Sequence, residues 1–249
     1  MSPNPIGLAV ALALVAFLYA LVGHGGASGY LAVMALAGMA PAVMKPTALV
    51  LNLVVAGIGS IQFARAGHFR WRTFWPFAAG SIPFAFVGGA LKLPPGPYKV
   101  VVGIVLVFAA LQLLLTAARP VSSPEREAID PPLAIALPLG AVLGFVAGLT
   151  GVGGGIFLSP LLLLLGWATP RTTAAVSAVF IVVNSLAGLL GHVASLGQVP
   201  GQLVWWVPAV ALAGFAGSRL GSRRLPDPAI RRVLAVVLIL AGAKLMLGG

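Results

Sequence analysis

The chain contains no cysteine, and only four of its 249 residues are acidic. The lack of cysteine excludes disulfides, thiolate metal sites and a cysteine nucleophile. Charged residues make up 8% of the chain, whereas soluble domains carry about a quarter. A water-soluble surface cannot be built from so few charges. The sequence therefore predicts that most of the protein surface faces lipid, and it predicts no cofactor and no metal site.

The acidic residues lie outside the apolar runs, whereas a cation carrier would need carboxylates inside its membrane helices. Glu125, Glu127, Asp130 and Asp227 all fall between apolar runs. Carboxylates inside membrane helices commonly serve as proton relays, so their absence there argues against a cationic substrate. No GxxxxGK[ST] loop is present to bind nucleotide phosphate, so ATP is not the energy source within this chain. Protons are the candidate coupling ion.

The net charge of +11 does not indicate a nucleic-acid partner. The basic residues stand singly or in short groups between apolar runs, which is typical of loops that set membrane topology. The N-terminal apolar run lacks the positive leader of a secretory signal and is predicted to be a retained first helix. The predicted partners are the lipid bilayer and a small anion.

Apolar runs, which make up most of the chain, indicate the fold class. Hydrophobic residues are 60% of the sequence, and about 20 apolar residues span a bilayer. The prediction is an all-α integral membrane protein with about ten helical segments, some of them short or broken. They are predicted at 5–23, 27–43, 46–65, 73–92, 98–118, 132–149, 154–168, 171–195, 202–221 and 229–247.

The two halves of the chain resemble repeats. Gly23, Gly26 and Gly29 match three glycines placed 125 residues later, and Thr47 matches Ser177 at an offset of 130. Repeats of five segments each must cross the membrane in opposite senses, as in many secondary transporters. We therefore expect a first repeat at 1–118, a polar linker at 119–131 and a second, inverted repeat at 132–249.

The positive charges agree with such an inversion. When alternate loops are summed, the arginines fall on one side of the membrane and the lysines on the other. The arginine-rich side outnumbers its opposite, so the positive-inside rule places it in the cytoplasm. Both termini are then predicted outside, in a bacterial inner membrane.

Two glycine-rich breaks, at 23–29 and 148–155, are the first candidate site. Non-helical backbone at membrane depth is tolerated where it lines a cavity, and paired breaks in inverted repeats point to a transporter site near the midplane. A helix that restarts after a break presents N–H groups and a positive dipole end, which favour an anion. The alternative is close helix packing through small residues. The predicted substrate-binding residues of the breaks are Gly26, Ser28, Gly29, Thr150, Gly151, Gly153, Gly154 and Gly155.

Polar residues inside the apolar runs form the second candidate set. Such groups are costly at depth and usually face the bundle interior, although hydrogen bonding between helices explains many of them. His24 and His192 could bind the anion or carry protons, while Lys45 and Arg171 could attract an anion or extend to the interface. The predicted lining residues are His24, Thr47, Asn52, Ser177, Asn184 and His192.

An enzyme is the alternative from another class. Gly26 to Gly29 match the GxSG motif of rhomboid intramembrane proteases, with Ser28 as nucleophile and His192 as the conceivable base. A four-residue motif has a high false-positive rate, and the break around Thr150 has no matching serine. No enzymatic activity is therefore predicted.

The second break, GLTGVGGGI from Gly148 to Ile156, is followed by Pro160 and by TTAAVS up to Ser177. Together with Thr47, Asn52 and the GHFRW run at 67–71, this pattern resembles the sulfite exporter TauE/SafE family over residues 6–247. The resemblance implies an inner-membrane exporter of sulfite, sulfoacetate, thiosulfate or a similar anion. At His24 and Ser28 the family more commonly has glycine. A channel or uniporter for another small solute, and an assembly subunit, remain alternatives.

Overall fold

A computed structural model describes residues 5–117, 129–192, 200–223 and 228–247. These residues form helices and connecting turns, without strands. The helices are α1 Pro5–Ala20, α2 Ala27–Leu36, α3 Pro41–Arg65, α4 Trp71–Ala90, α5 Pro95–Ala117, α6 Leu133–Thr150, α7 Gly155–Leu164, α8 Pro170–Gly191, α9 Leu203–Gly221 and α10 Pro228–Leu247.

The helices have the length and composition of a membrane protein. Within the described residues, α3, α5, α6, α8 and α9 are each long and apolar enough to cross a bilayer, and shorter apolar helices accompany them. Large apolar side chains such as Trp205, which is 76% exposed, point outward. The predicted all-α membrane fold with ten helical segments is confirmed.

Two predicted boundaries on the first repeat were wrong by several residues. The second segment ends as a helix at Leu36, and Gly38 then turns the chain with a φ of 75°. The next helix begins at Pro41, not at residue 46, because proline is favoured in the first turn of a helix. Lys45 had suggested a loop, but it lies inside α3 and is only 4% exposed.

Glycines allow two pairs of helices to pack backbone against backbone. Along α6, Gly140, Gly144 and Gly148 lie against Phe77, Ser81 and Ala85 of α4, so these two helices run parallel. Gly217 and Gly221 of α9 meet Phe17 of α1 and Leu21, which directly follows α1, in the same way. Small residues at such contacts let membrane helices approach closely enough for van der Waals packing to hold them.

The α4–α6 contact yields a stability prediction. A Cβ added at Gly144 would overlap the backbone of Ser81, whereas one added at Gly57 of α3 would meet nothing within 4 Å. We expect Gly144→Ala to destabilise the protein by about 1–3 kcal/mol through overpacking. Gly57→Ala should be neutral or stabilising, since alanine favours a helix interior over glycine by about 0.5–1 kcal/mol. Thermal unfolding in detergent measures both, and equal midpoints would contradict the packing argument.

Helices α3 and α8 occupy the interior. Gly59 of α3 faces Ala178 of α8, and Leu49 reaches Gly188, so the two helices run antiparallel. Their inner faces hold fully buried polar residues, which is where the candidate site is built. Residues 119–128 of the predicted linker lie outside the described residues.

Candidate functional site

Helices α2 and α7 each begin directly after a glycine break, in the interior of the protein. Gly26 precedes α2 with a φ of 104°, and Gly154 precedes α7 with a φ of 82°. Both are left-handed conformations that glycine adopts without steric cost. Neither helix has a side-chain N-cap. The first N–H groups of each helix have no acceptor within the helix and lie at its positive dipole end.

Both breaks meet the same side chain, Asn52. This residue lies near the middle of α3 and is fully buried. Its Nδ2 donates to the Val152 carbonyl of the second break at 3.3 Å and to Ser185 Oγ at 3.1 Å. Its Oδ1 has no hydrogen-bond partner and lies against Gly25 of the first break, where a Cβ would overlap it. The two breaks therefore converge on α3, at Asn52.

Ser159, His24 and Ser177 form a polar cluster beside the point where the two breaks meet Asn52. Ser159 Oγ of α7 is 3.1 Å from His24 Nε2 and 2.9 Å from Ser177 Oγ, and it can donate to the Gly155 carbonyl at 2.9 Å. His24 Nδ1 lies 3.1 Å from the Val22 carbonyl. The cluster joins the first break, α7 and α8 in one chain of hydrogen bonds.

Two members of the cluster, His24 and Ser159, line a cavity of about 80 Å³. Because one water molecule needs about 10–15 Å³ of cavity volume measured in this way, the cavity can hold several waters or a small oxyanion. Among the described residues that line the cavity, Arg171, near the start of α8, carries a permanent charge. Its lining includes Val22, His24, Phe63, Ser159, Arg171 and Thr173.

Several glycines of the breaks, which were predicted to bind the substrate, pack against neighbouring side chains and do not line the cavity. Gly153 packs against Asn52 and Ser185, Gly154 against Phe180, and Gly155 against Ile181. In the first break, Gly26 lies under the ring of Tyr30, and Gly29 packs on Val15 and Tyr19. These glycines bring backbone close to side chains, so their role in the structure is close approach.

Two other residues that were predicted to bind the substrate form hydrogen bonds with the backbone of their own helix. Asn184 Nδ2 donates to the Phe180 carbonyl of its own helix, and Thr150 Oγ1 donates to Val146 in the same way. Thr47 is fully buried with no partner for its hydroxyl. The structure therefore gathers His24, Asn52 and Ser177 around the breaks and leaves Asn184 and Thr150 bonded to their own helices.

Two candidates form a separate cluster. Lys45 Nζ donates to the Gly89 carbonyl at 3.0 Å, and His192 Nδ1 lies 3.2 Å from the same oxygen. Lys45 also packs its stem against Gly151 of the second break. Lys45 is only 4% exposed, and its ammonium group stabilises the negative C-terminal end of α4.

Gly25, Ser159 and Arg171 are not among the predicted binding residues. Gly25 lies within the first break, Ser159 is one of the polar residues inside the apolar runs, and Arg171 was expected either to attract the anion or to extend to the interface. Ser159 stands four residues after Gly155, one helical turn into α7, so it shares the face that starts at the break. That spacing was a usable signal. The contact of Gly25 with Asn52 depends on how α1, α2 and α3 pack, and no spacing reveals it.

Comparisons with known proteins identify the class. The model of the sulfite exporter TauE/SafE family matches residues 8–245. The chain belongs to this family. This TauE/SafE protein is 45% identical over 246 residues to the probable membrane transporter protein y4hK of Sinorhizobium fredii, covering 99% of this chain and 100% of the relative. It is 26% identical over 230 residues to the probable membrane transporter protein YunE of Bacillus subtilis, covering 84% and 82%.

No solved structure is significantly similar to this TauE/SafE protein. The family and its named relatives make the chain a multi-pass membrane transporter and not an enzyme. The contacts of Ser28 agree, because its hydroxyl donates to Tyr19 at 3.0 Å, while His192 lies against Gly89. The proposed serine–histidine pair of an intramembrane protease does not form.

Proposed function

We propose that this TauE/SafE protein is a secondary transporter that exports small sulfur-containing anions such as sulfite, sulfoacetate or thiosulfate. The observation that carries the proposal is the meeting of two glycine breaks on Asn52, next to a cavity that contains His24 and Arg171. The N–H groups at the starts of α2 and α7 would bind the anion near mid-membrane. Asn52, whose two Nδ2 protons are donated to Val152 and Ser185, would hold the second break in position.

The electrostatics of the interior favour an anion. Two positive helix ends lie at the breaks, and the helices of the described chain contain no aspartate or glutamate. Asp130, which lies outside the helices, pairs with Arg70 at 3.3 Å and Arg72 at 3.6 Å. An anion would therefore meet attraction without competing carboxylates.

We propose further that the two halves are inverted repeats. Helix α4 runs parallel to α6 of the other half, and α1 runs parallel to α9, as a two-fold axis in the membrane plane would require. Gly103 of α5 and Gly242 of α10 each face the carbonyl of the other, at 2.9 to 3.0 Å from an added Cβ. Such reciprocal contacts are expected where an axis passes between equivalent helices.

Alternating access would open the site to one side at a time. The cavity is lined by Phe63, Arg171 and Gly221, which lie at the helix ends nearest the arginine-rich loops. The positive-inside rule assigns this side to the cytoplasm. At the other side Lys45 and His192 both reach the Gly89 carbonyl and tie α3 and α8 to α4. This arrangement supports a cytoplasm-facing state that loads an anion for export, with both termini outside.

Flux into proteoliposomes tests the proposal. We expect saturable uptake of labelled sulfite and thiosulfate by the purified protein, accelerated by unlabelled anion inside the vesicles. Chloride and a neutral solute serve as controls. Saturation and trans-stimulation distinguish a carrier from a channel, because a channel does not cycle its site. Absence of flux for every sulfur anion would contradict the proposed substrate class.

A further inference from the structure

One wall of the cavity is formed by the first residues of α8. Pro170, Arg171, Thr173 and Ala174, all within the first five residues of this helix, line it. Helix α8 has 22 residues, so its first turn carries the positive end of a long helix dipole. An anion that enters the cavity would therefore lie against a positive wall before it reaches either glycine break.

Thr173 brings a buried hydroxyl without a partner to this wall. Its side chain is 3% exposed, and its Oγ1 forms no hydrogen bond with any residue that the structure describes. A buried hydroxyl without a hydrogen bond is costly, so such a group in a cavity wall marks a place where a ligand can bind. Thr173 lies one helical turn before Ser177 and shares its face of α8. Ser177 in turn contacts Ser159, which lines the same cavity.

Arg171 adds a permanent positive charge beside this hydroxyl. The residue is exposed, and its guanidinium forms no ion pair or hydrogen bond with any residue in the described part of the chain. A guanidinium can donate two parallel hydrogen bonds to two oxygens of one oxyanion. Chloride is a single atom and cannot use that geometry. Arg171 is therefore suited to favour oxyanions at the outer end of the cavity.

We propose that Arg171 and Thr173 form a loading subsite, where an oxyanion from the cytoplasm binds before it moves to the glycine breaks. The guanidinium would donate to two oxygens of the anion, and the Thr173 hydroxyl would donate to it as well. Ser177, about 6 Å further along α8, would offer the next hydroxyl on the way to the breaks. The inference rests on the proposed function for the sulfur anion and for the direction of transport.

Thiosulfate uptake into inside-out membrane vesicles tests the loading subsite, because these vesicles expose the cytoplasmic side. We expect Arg171→Gln to raise the thiosulfate concentration that gives half the maximal rate about tenfold, with little change in the maximal rate itself. Thr173→Val, which removes the hydroxyl and keeps the shape of the side chain, should raise this concentration about threefold. Arg171→Lys keeps the charge without the planar guanidinium and should fall between the wild type and Arg171→Gln.

The chain offers a matched control for each substitution. Thr73, in the first turn of α4, is also fully buried with an unpartnered hydroxyl, but it does not line the cavity. Arg65, the last residue of α3, is exposed and does not line the cavity either. We expect Thr73→Val and Arg65→Gln to keep the half-maximal concentration of the wild type. An equal rise in Thr73→Val and Thr173→Val would overturn the role of Thr173, because the loss of any buried hydroxyl would then be sufficient.

Chemical labelling examines the same subsite without transport. The chain has no cysteine, so Thr173→Cys introduces a single thiol into the cavity wall. A small methanethiosulfonate reagent that carries a sulfonate should modify this thiol about tenfold more slowly when Arg171→Gln is also present, because the guanidinium no longer attracts the anionic reagent. The cationic trimethylammonium analogue should not be slowed by Arg171→Gln. Sulfoacetate should protect the thiol, and Thr73→Cys should remain unmodified.

The outcomes separate the loading subsite from the proposed function. If Arg171→Gln and Thr173→Val both keep the half-maximal concentration of the wild type, the subsite is overturned while the carrier function stands. If the wild type moves no sulfur anion, the proposed function fails. The labelling then still decides on the subsite, because protection by sulfoacetate requires only that the anion bind there. A labelling rate that neither Arg171→Gln nor sulfoacetate changes would overturn the subsite.

Discussion

Replacing Asn52 by leucine is expected to reduce sulfur-anion flux by at least about tenfold while the protein still inserts and folds. The substitution keeps the number and branching of the side-chain heavy atoms and removes the amide that holds Val152 of the second break and Ser185 of α8. Without this amide the second break loses its position, which weakens the hydrogen bonds from its N–H groups to the anion. A hydrogen bond to a charged ligand contributes about 1.5–3 kcal/mol, and about 1.4 kcal/mol is a factor of ten in affinity.

The matched control is Gln62→Leu, which removes an amide from the same helix at a half-buried position away from both breaks. We expect it to keep near wild-type flux. Size-exclusion profiles and thermal midpoints in detergent establish that both variants fold. Wild-type flux in Asn52→Leu would show that the position in which Asn52 holds the second break has no part in transport.

Gly153→Ala is the second substitution for which we expect a large effect. The residue has a φ of 79°, and an added Cβ would overlap the Asn52 amide and lie 2.9 Å from Ser185 Oγ. The left-handed backbone alone costs an alanine about 1–2 kcal/mol, and overpacking adds about 1–3 kcal/mol. The added methyl group must displace Asn52 from its position between the two breaks, so flux should fall more than about tenfold. Gly153→Leu should abolish transport by the same argument.

Gly166→Ala separates the backbone effect from the contact. Gly166 has a φ of 70°, close to that of Gly153, but a Cβ there meets nothing within 4 Å. Both alanines carry the same backbone strain, so the difference between them reports the contact with Asn52. We expect Gly166→Ala to transport at near the wild-type rate after a modest loss of thermal stability. Equal flux in the two variants would show that close approach at the second break has no part in transport.

Much of the fold could be predicted because the bilayer restricts what a chain can do. Backbone groups in lipid must be satisfied within the segment, so an apolar run of sufficient length forms a helix. Glycines 26 and 154 marked the interruptions correctly, since each has a positive φ that other residues rarely adopt. The start of α3 was misplaced because Lys45 was interpreted as a loop residue, whereas tertiary contacts with the end of α4 bury it.

The candidate site could be predicted only in outline. Asn52 and Ser177 were selected because polar groups at depth face the interior. Their different partners could not be foreseen. Ser177 meets Ser159 of α7, whereas Asn184, seven residues further along α8, turns back to its own helix. A spacing within one helix defines a shared face, but it does not say which other helix covers that face.

Composition, apolar run length and glycine position by themselves determined that this chain is a helical membrane protein with two interrupted segments. These features act through local backbone geometry and transfer from water to lipid, which depend on the chain alone. Only the tertiary structure decided that both breaks meet at Asn52, that Ser159 links His24 to Ser177, and that Lys45 and His192 share the Gly89 carbonyl. Those contacts join residues up to 135 positions apart, and their geometry is fixed by the packing of the helices, where glycine allows backbones to approach.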